Sequence, residues 1–229
     1  MSFEVIQNIL IEYWPLILRG AGVTLSIALI STIIGALIGF FIGVMHTIPK
    51  KKRSVKMVTM KLINTTLTIY MEIFRGTPMI VQAVVVFYGL AAYGIHLNTF
   101  IAGVIVVSLN TGAYMAEIVR GGIISIDKGQ YEAAKVLGYN KIETFFIIIL
   151  PQVVKIVLPS ITNEVITLVK DTSLSFVLAI PEMFTIAKQI AAADASIIAL
   201  LVAGVFYYVF NVIVAFVMGR LEKRLSYYV

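Results

Sequence analysis

The sequence predicts an all-α, polytopic membrane protein that crosses the bilayer five times. Three observations predict it. The 229 residues are 60% hydrophobic and 13% charged, with a mean hydropathy of +0.98, where a soluble domain is about half apolar and a quarter charged. Several apolar runs exceed the ~18 to 20 residues needed to cross a bilayer. These runs are continuous and do not alternate, which argues against a transmembrane barrel. Finally, Lys and Arg gather in alternate connecting segments. Residues 50–61 hold Lys50, Lys51, Lys52, Arg53, Lys56 and Lys61; residues 120–141 hold Arg120, Lys128, Lys135 and Lys141; the tail holds Arg220, Lys223 and Arg224. Residues 91–99 hold none, and 181–196 only Lys188. The positive-inside rule then puts the N-terminus outside and the C-terminus in the cytoplasm. The net charge of +6 is explained by this flanking pattern and does not point to nucleic acid. Without cysteine there is no disulfide framework, thiol nucleophile or thiolate metal site.

The first span is expected from about Trp14 to Met45. The preceding MSFEVIQNIL lacks the basic region and small-residue cleavage site of a signal peptide, so this run is expected to be retained. Ser31, Gly35, Gly39 and Gly43 recur every fourth residue and make a small-residue face suited to close helix contact. Residues 55–93 are expected to form one broken span, interrupted at RGTP, where Gly76 is flexible and Pro78 disfavours helix at Thr77. The third span runs from about Thr99 to Val119, followed by a polar segment from Arg120 to Glu143. The fourth runs from near Phe145 to about Ile180 and should be kinked by Pro151 and Pro159. The fifth runs from about Ile197 to Met218. The whole chain, 1–229, reads as a single transmembrane domain with a cytoplasmic loop at about 120–143.

That loop contains QYEAAKVLGYNK, a short helix with strong formers at Ala133 and Ala134 and a stop at Gly138. Its composition alone fits any helical cytoplasmic loop. Its spacing is more informative: Glu132-Ala133-Ala134, three residues, Gly138, nine residues, Ile148, one residue, Leu150-Pro151. This resembles the EAA signature of the membrane subunits of binding-protein-dependent ABC importers. VTLSIALIST, EIFRGTPMIVQ, GAYMAEIVRGGI and LPSITNEVITLVKDTSL are similar to the polar amino-acid branch of that family. The resemblance implies the type I ABC importer fold and a coupling helix at about 126–141, with Glu132, Ala133, Ala134 and Gly138 docking on a separate ATPase subunit. It implies ATP and magnesium on that ATPase, no cofactor in this chain, a second permease subunit (identical or a close relative), and an extracytoplasmic substrate-binding protein. Consistently, the chain has no G-x-x-x-x-G-K-[ST] loop with which to hold ATP itself. It is therefore expected not to be an enzyme. A stand-alone secondary transporter is the rival reading, disfavoured by five spans without an inverted second half.

Charged residues at bilayer depth are expensive and mark candidate sites. Glu117 with Arg120, and Glu72 with Arg75, are spaced for ion pairs one turn apart. Lys155 is placed to snorkel. Glu164, beside Asn163, lies about 20 Å beyond Pro151 along a helix, with no basic residue at i±3 or i±4. It is expected to meet a cation on another helix or in the cargo. NEVI is similar to the corresponding segment of basic amino-acid importers. The candidate substrate site comprises Glu164, Asn163, Thr77, Met79, Tyr114 and Glu117, with cationic amino acids as the expected cargo and glutamine or another polar amino acid as the alternative. KDTSL suggests a second break at Asp171–Ser173. His46 and His96, with Tyr13, Trp14, Tyr93, Tyr207 and Tyr208, are expected at the membrane interfaces. No metal site is expected.

Overall fold

A computed structural model describes residues 3–48 and 55–225; the side chains of residues 3–10 and 55–57 are outside that description. The expected basic positions Lys50, Lys51, Lys52 and Arg53, and the Lys56 side chain, therefore lie outside the described residues. Every regular element among those described is a helix, with no strand among them. Four helices are long and apolar enough to cross a membrane, and a sharply bent pair would make a fifth span.

Helix α1 runs Phe3–Thr47, starting well before the expected Trp14. Pro15 lies inside it and forgoes one backbone hydrogen bond there. Helix α2 (Val55–Gly76) and α3 (Met79–Ala92) are the bent pair. The break falls where RGTP places it: Pro78 caps α3 with extended backbone, φ −61° and ψ 134°. Helix α4 (Thr99–Ser125) is started by Asn98, whose side chain accepts from the amides of Phe100 and Ile101. It continues six residues past the expected Val119, so Arg120 is helical and not the start of a loop. Helix α5 (Lys128–Val136) is the expected coupling segment, shorter at both ends than 126–141.

The fourth span begins with α6 (Lys141–Glu143), passes through a π-helical stretch, Thr144–Ile149, and continues as α7 (Leu150–Asp171). The wider π turn immediately precedes Pro151, which cannot donate to the ladder. At KDTSL the α-helix gives way to a 3₁₀ stretch, Thr172–Leu178, closed by Ala179 at φ 55°, which agrees with the expected second break. The segment 181–196, read from sequence as a connecting loop, contains helix α8 (Met183–Ala193). Helix α9 runs Ile198–Leu225, beyond the expected end at Met218.

Two compact units are distinguishable. One comprises Met1–Ile33, Thr77–Ser108 and Val165–Ala215. Here α8 buries Met183, Ile186, Ala187 and Ile190 against Ile17 and Ala21 of α1 and Ile198, Ala199 and Ala203 of α9. A second cluster joins Ile27, Ala83, Ala102, Val106, Leu168 and Ile180. Gly20 permits the α8 contact, since a Cβ there would stand 2.9 Å from Ile186 and 3.1 Å from the Met183 backbone.

The other unit comprises Ile34–Gly76, Leu109–Glu164 and Phe216–Val229. Its core is Val119, Ile123, Ile126, Ile149, Val153 and Val157. The small-residue face of α1 is used here: Gly35, Gly39 and Gly43 lie directly against Thr111, Met115, Ala116 and Val119 of α4, too close for any side chain. Helix α2 is tied to α4 by Tyr70, whose hydroxyl donates to the Leu109 carbonyl at 2.6 Å, and by Asn110, whose amide donates to the Phe74 carbonyl at 2.9 Å.

Candidate functional site

Two places carry chemistry the packing does not require. The first is the loop around α5. Asp127 caps the helix by accepting from the Gly129 amide at 2.6 Å. Gly138 ends it at φ +84°, a conformation glycine adopts without Cβ strain, and the Tyr139 amide closes back on the Ala134 carbonyl at 3.0 Å. Asn140 then starts α6 in a capping box: its side chain accepts from the Ile142 and Glu143 amides, while Glu143 accepts from the Asn140 amide at 2.8 Å. The N-x-x-E signal was present in the sequence as NKIE. The caps hold α5 in place against the π-helical stretch. Ala134 is buried at 1% exposure, while Glu132, Ala133 and Gly138 are exposed. Val136 and Leu137, 87% and 73% exposed, form an apolar tip that nothing among the described residues covers. Burial raises the nearby Tyr131 phenol above its ordinary pKa.

The second place is a group of polar side chains in the spans. Glu117 is gripped by Arg120, whose Nε donates to Oε2 at 2.9 Å and Nη2 to Oε1 at 2.5 Å. That pairing follows the sequence spacing. The expected Glu72–Arg75 pair does not form. Arg75 instead approaches Glu117 Oε2 at 3.7 Å and lies over the Tyr114 ring, 5.6 Å from its centroid. The Tyr114 hydroxyl donates to the Arg75 carbonyl at 3.4 Å. A helix-surface rule sees only neighbours one turn away, so a pairing across to α4 was outside its view.

Of the six residues read from sequence as substrate-binding, Tyr114, Glu117, Asn163 and Glu164 belong to one compact unit and Thr77 and Met79 to the other. Tyr114 and Glu117 are brought together through Arg75. Asn163 is exposed and Glu164 half-buried on α7. One residue before them, Thr162 donates to Glu222 of α9 at 2.8 Å. Thr77 accepts from the Gln82 amide at both its hydroxyl (2.8 Å) and its carbonyl (3.0 Å). Met79 lines a small cleft with Ala83, Val106, Asp171 and Ser175.

One buried carboxylate escaped the sequence reading. Glu182 is fully buried, caps α8 through the Phe184 and Thr185 amides at 2.8 and 2.7 Å, and accepts from Thr185 Oγ1 and Tyr207 Oη, both at 2.8 Å. Tyr207, expected from the sequence at a membrane interface, is thus a hydrogen-bond partner of Glu182. His46 shares a hydrogen bond with Thr68 at 2.9 Å.

Fold and site together define a helical membrane protein with a capped polar loop between two of its spans. The comparisons specify which kind. Residues 54–227 match the family described as the binding-protein-dependent transport system inner membrane component, and the chain belongs to that family. It is 35% identical to the arginine transport system permease protein ArtQ of Bacillus subtilis, over 93% of each chain. It is 31% identical to the L-cystine permease protein TcyB of the same organism, over 95% of this chain and 90% of the relative. It is 32% identical to the glutamine permease protein GlnP of Escherichia coli, over 93% and 94%. Among solved structures, an amino acid ABC transporter with histidines superposes with a TM-score of 0.84 at 29% identity, over 98% of this chain and 99% of that one. The architecture is that of the type I ABC importers.

Proposed function

We propose that this chain is the permease subunit of an ATP-driven amino-acid importer whose favoured cargo is cationic: arginine, lysine or histidine. The observation that carries the cationic reading is the 35% identity to an arginine permease across 93% of both chains. The likeness to a transporter crystallised with histidines supports it, as does a carboxylate, Glu164, on a span of the unit that also holds Tyr114 and Glu117. The 32% identity to a glutamine permease favours glutamine as the second reading. The cargo contacts proposed are Glu164, Asn163, Thr77, Met79, Tyr114 and Glu117.

The N-terminus lies outside and the C-terminus in the cytoplasm, and the loop of about 120–143 faces an ATPase subunit. Val136 and Leu137 offer that subunit an apolar contact, with Glu132, Ala133, Ala134 and Gly138 shaping the helix that docks. Two permease subunits, identical or closely related, pair with two ATPases that hold the ATP and magnesium. Closure of the ATPases draws the two α5 helices together and opens the pathway outward, where a binding protein delivers cargo; hydrolysis returns it inward.

The test is uptake by proteoliposomes containing the whole complex, with labelled arginine competed by lysine, histidine and glutamine. Stronger competition by the cationic amino acids supports the reading, and stronger competition by glutamine replaces it with the second. Glu164→Gln should lower arginine and lysine uptake by about tenfold or more, the scale of one charged hydrogen bond, while leaving assembly intact. Unchanged uptake would remove Glu164 from the site.

A further inference from the structure

We propose that Arg75 receives the carboxylate of the transported solute, which replaces Glu117 as its anionic partner. The inference deepens the amino-acid reading above and rests on it.

The local charges do not balance. Among the described residues Arg75 and Arg120 share the carboxylate of Glu117, so two positive charges less one negative leave one in surplus. The sharing is unequal. Arg120 engages both oxygens of Glu117, at 2.9 and 2.5 Å, in the fork geometry that makes arginine–carboxylate pairs strong. Arg75 has one approach to one oxygen, at 3.7 Å, beyond ordinary hydrogen-bond length. Glu72, a turn earlier on α2, is exposed and outside pairing distance.

The guanidinium of Arg75 is nevertheless held in place. It lies 5.6 Å from the centroid of the Tyr114 ring, and the same tyrosine anchors the Arg75 backbone through its hydroxyl at 3.4 Å. Its side chain keeps 40% exposure. A planar cation stacked on one face, with five N–H donors and no fork partner, is arranged to take a two-oxygen anion edge-on. Arginine, lysine, histidine and glutamine differ in their side chains but share the α-carboxylate. Arg75 would therefore not choose among amino acids. It would reject amines that lack the carboxylate.

The experiment uses the complete permease–ATPase complex in nanodiscs of neutral phosphatidylcholine. Calorimetric binding is compared for arginine and agmatine, lysine and cadaverine, histidine and histamine, and glutamine and 4-aminobutanamide. Wild type should prefer the amino acid of its pair by about 10- to 100-fold, the scale of a charged hydrogen bond. Arg75→Gln should bring that ratio close to one while the amine binds as before, and Arg75→Lys should fall between. A ratio that survives Arg75→Gln overturns the inference and leaves the amino-acid reading standing. An equal loss for both members of a pair overturns it too, by showing a structural role. So does an effect of Arg75→Gln that appears only in a parallel set of nanodiscs carrying anionic lipid, since a headgroup oxyanion would then be the partner of Arg75. If wild type binds none of the amino acids, the inference and the reading beneath it fall together.

Discussion

Glu182→Ala should destabilise the protein more than any other single truncation near α8. The side chain is completely buried and accepts four hydrogen bonds of 2.7 to 2.8 Å, from two backbone amides, Thr185 and Tyr207. A fifth, from Thr24 at 3.5 Å, is long. Alanine removes the α8 cap, worth about 1 kcal/mol. It also strands buried donors, each costing about 1 to 3 kcal/mol if left unsatisfied. Allowing that the two amides and the threonine relax towards water or each other, the net cost is about 4 kcal/mol, in the range of breaking a buried charge network. At about 2 to 4 °C per kcal/mol for a chain of this size, the melting temperature should fall by about 8 to 16 °C. Tyr207→Phe removes one of the four donors and should cost about a third as much, near 1.5 kcal/mol. Thermal unfolding of the purified complex in detergent measures both. Equal melting temperatures for wild type and Glu182→Ala would refute the claim that this carboxylate organises α8.

Three further substitutions test the packing and the loop. Gly39→Leu should abolish accumulation of folded protein, because even a Cβ would stand 2.8 Å from the Ala116 amide nitrogen and closer still to Met115, and overpacking costs about 1 to 3 kcal/mol or more. Gly22→Ala, with nothing within 4 Å, is the tolerated control on the same helix, and size-exclusion profiles of the two variants compare them directly. Gly138→Val forces a β-branched residue to φ +84°, at a cost of about 1 to 2 kcal/mol. It should loosen the end of α5 and lower substrate-stimulated ATP hydrolysis in the assembled complex; full stimulation would show that the geometry at Gly138 is not needed for coupling.

What the sequence revealed and what it hid divide along a physical line. Apolar length revealed the spans, Pro78 the break between α2 and α3, and the fourfold spacing of small residues the contact of α1 with α4. Each is a local property of the chain. Helix ends were missed wherever a helix outran its hydrophobic stretch: α4 to Ser125 and α9 to Leu225 carry charges that hydropathy reads as loop. Helix α8 was missed because eleven residues are too few for a span. Its signals, Glu182 as cap and buried positions at 183, 186, 187 and 190, are those of an amphipathic helix. Partnerships between distant segments were invisible. Arg75 with Glu117, and Glu182 with Tyr207, depend on tertiary packing that no spacing rule encodes.

The depth of Glu164 shows how much that distinction matters for the cargo. Counted from Pro151, the residue lies about 20 Å along its helix, which reads as mid-membrane. But Thr162 is hydrogen-bonded to Glu222 at 2.8 Å, and Glu222 sits among Arg220, Lys223 and Arg224 at the charged end of α9. Charges at the end of a span mark its interface. Glu164, two residues and about 3 Å further along α7, is therefore within a side chain's reach of that level. The span has its own offset, because it begins at Lys141, ten residues before the proline from which the depth was counted. A carboxylate so close to a cationic helix end has two ways to matter: it can meet a cationic cargo, or it can help set the charge balance around α9. Total uptake does not separate them, because both predict a loss in Glu164→Gln. Selectivity does. If the carboxylate meets the cargo, arginine and lysine uptake fall while the uncharged glutamine competes relatively better. If it serves the helix end, all amino acids fall in the same proportion. The ratio of arginine to glutamine uptake is therefore the quantity to measure.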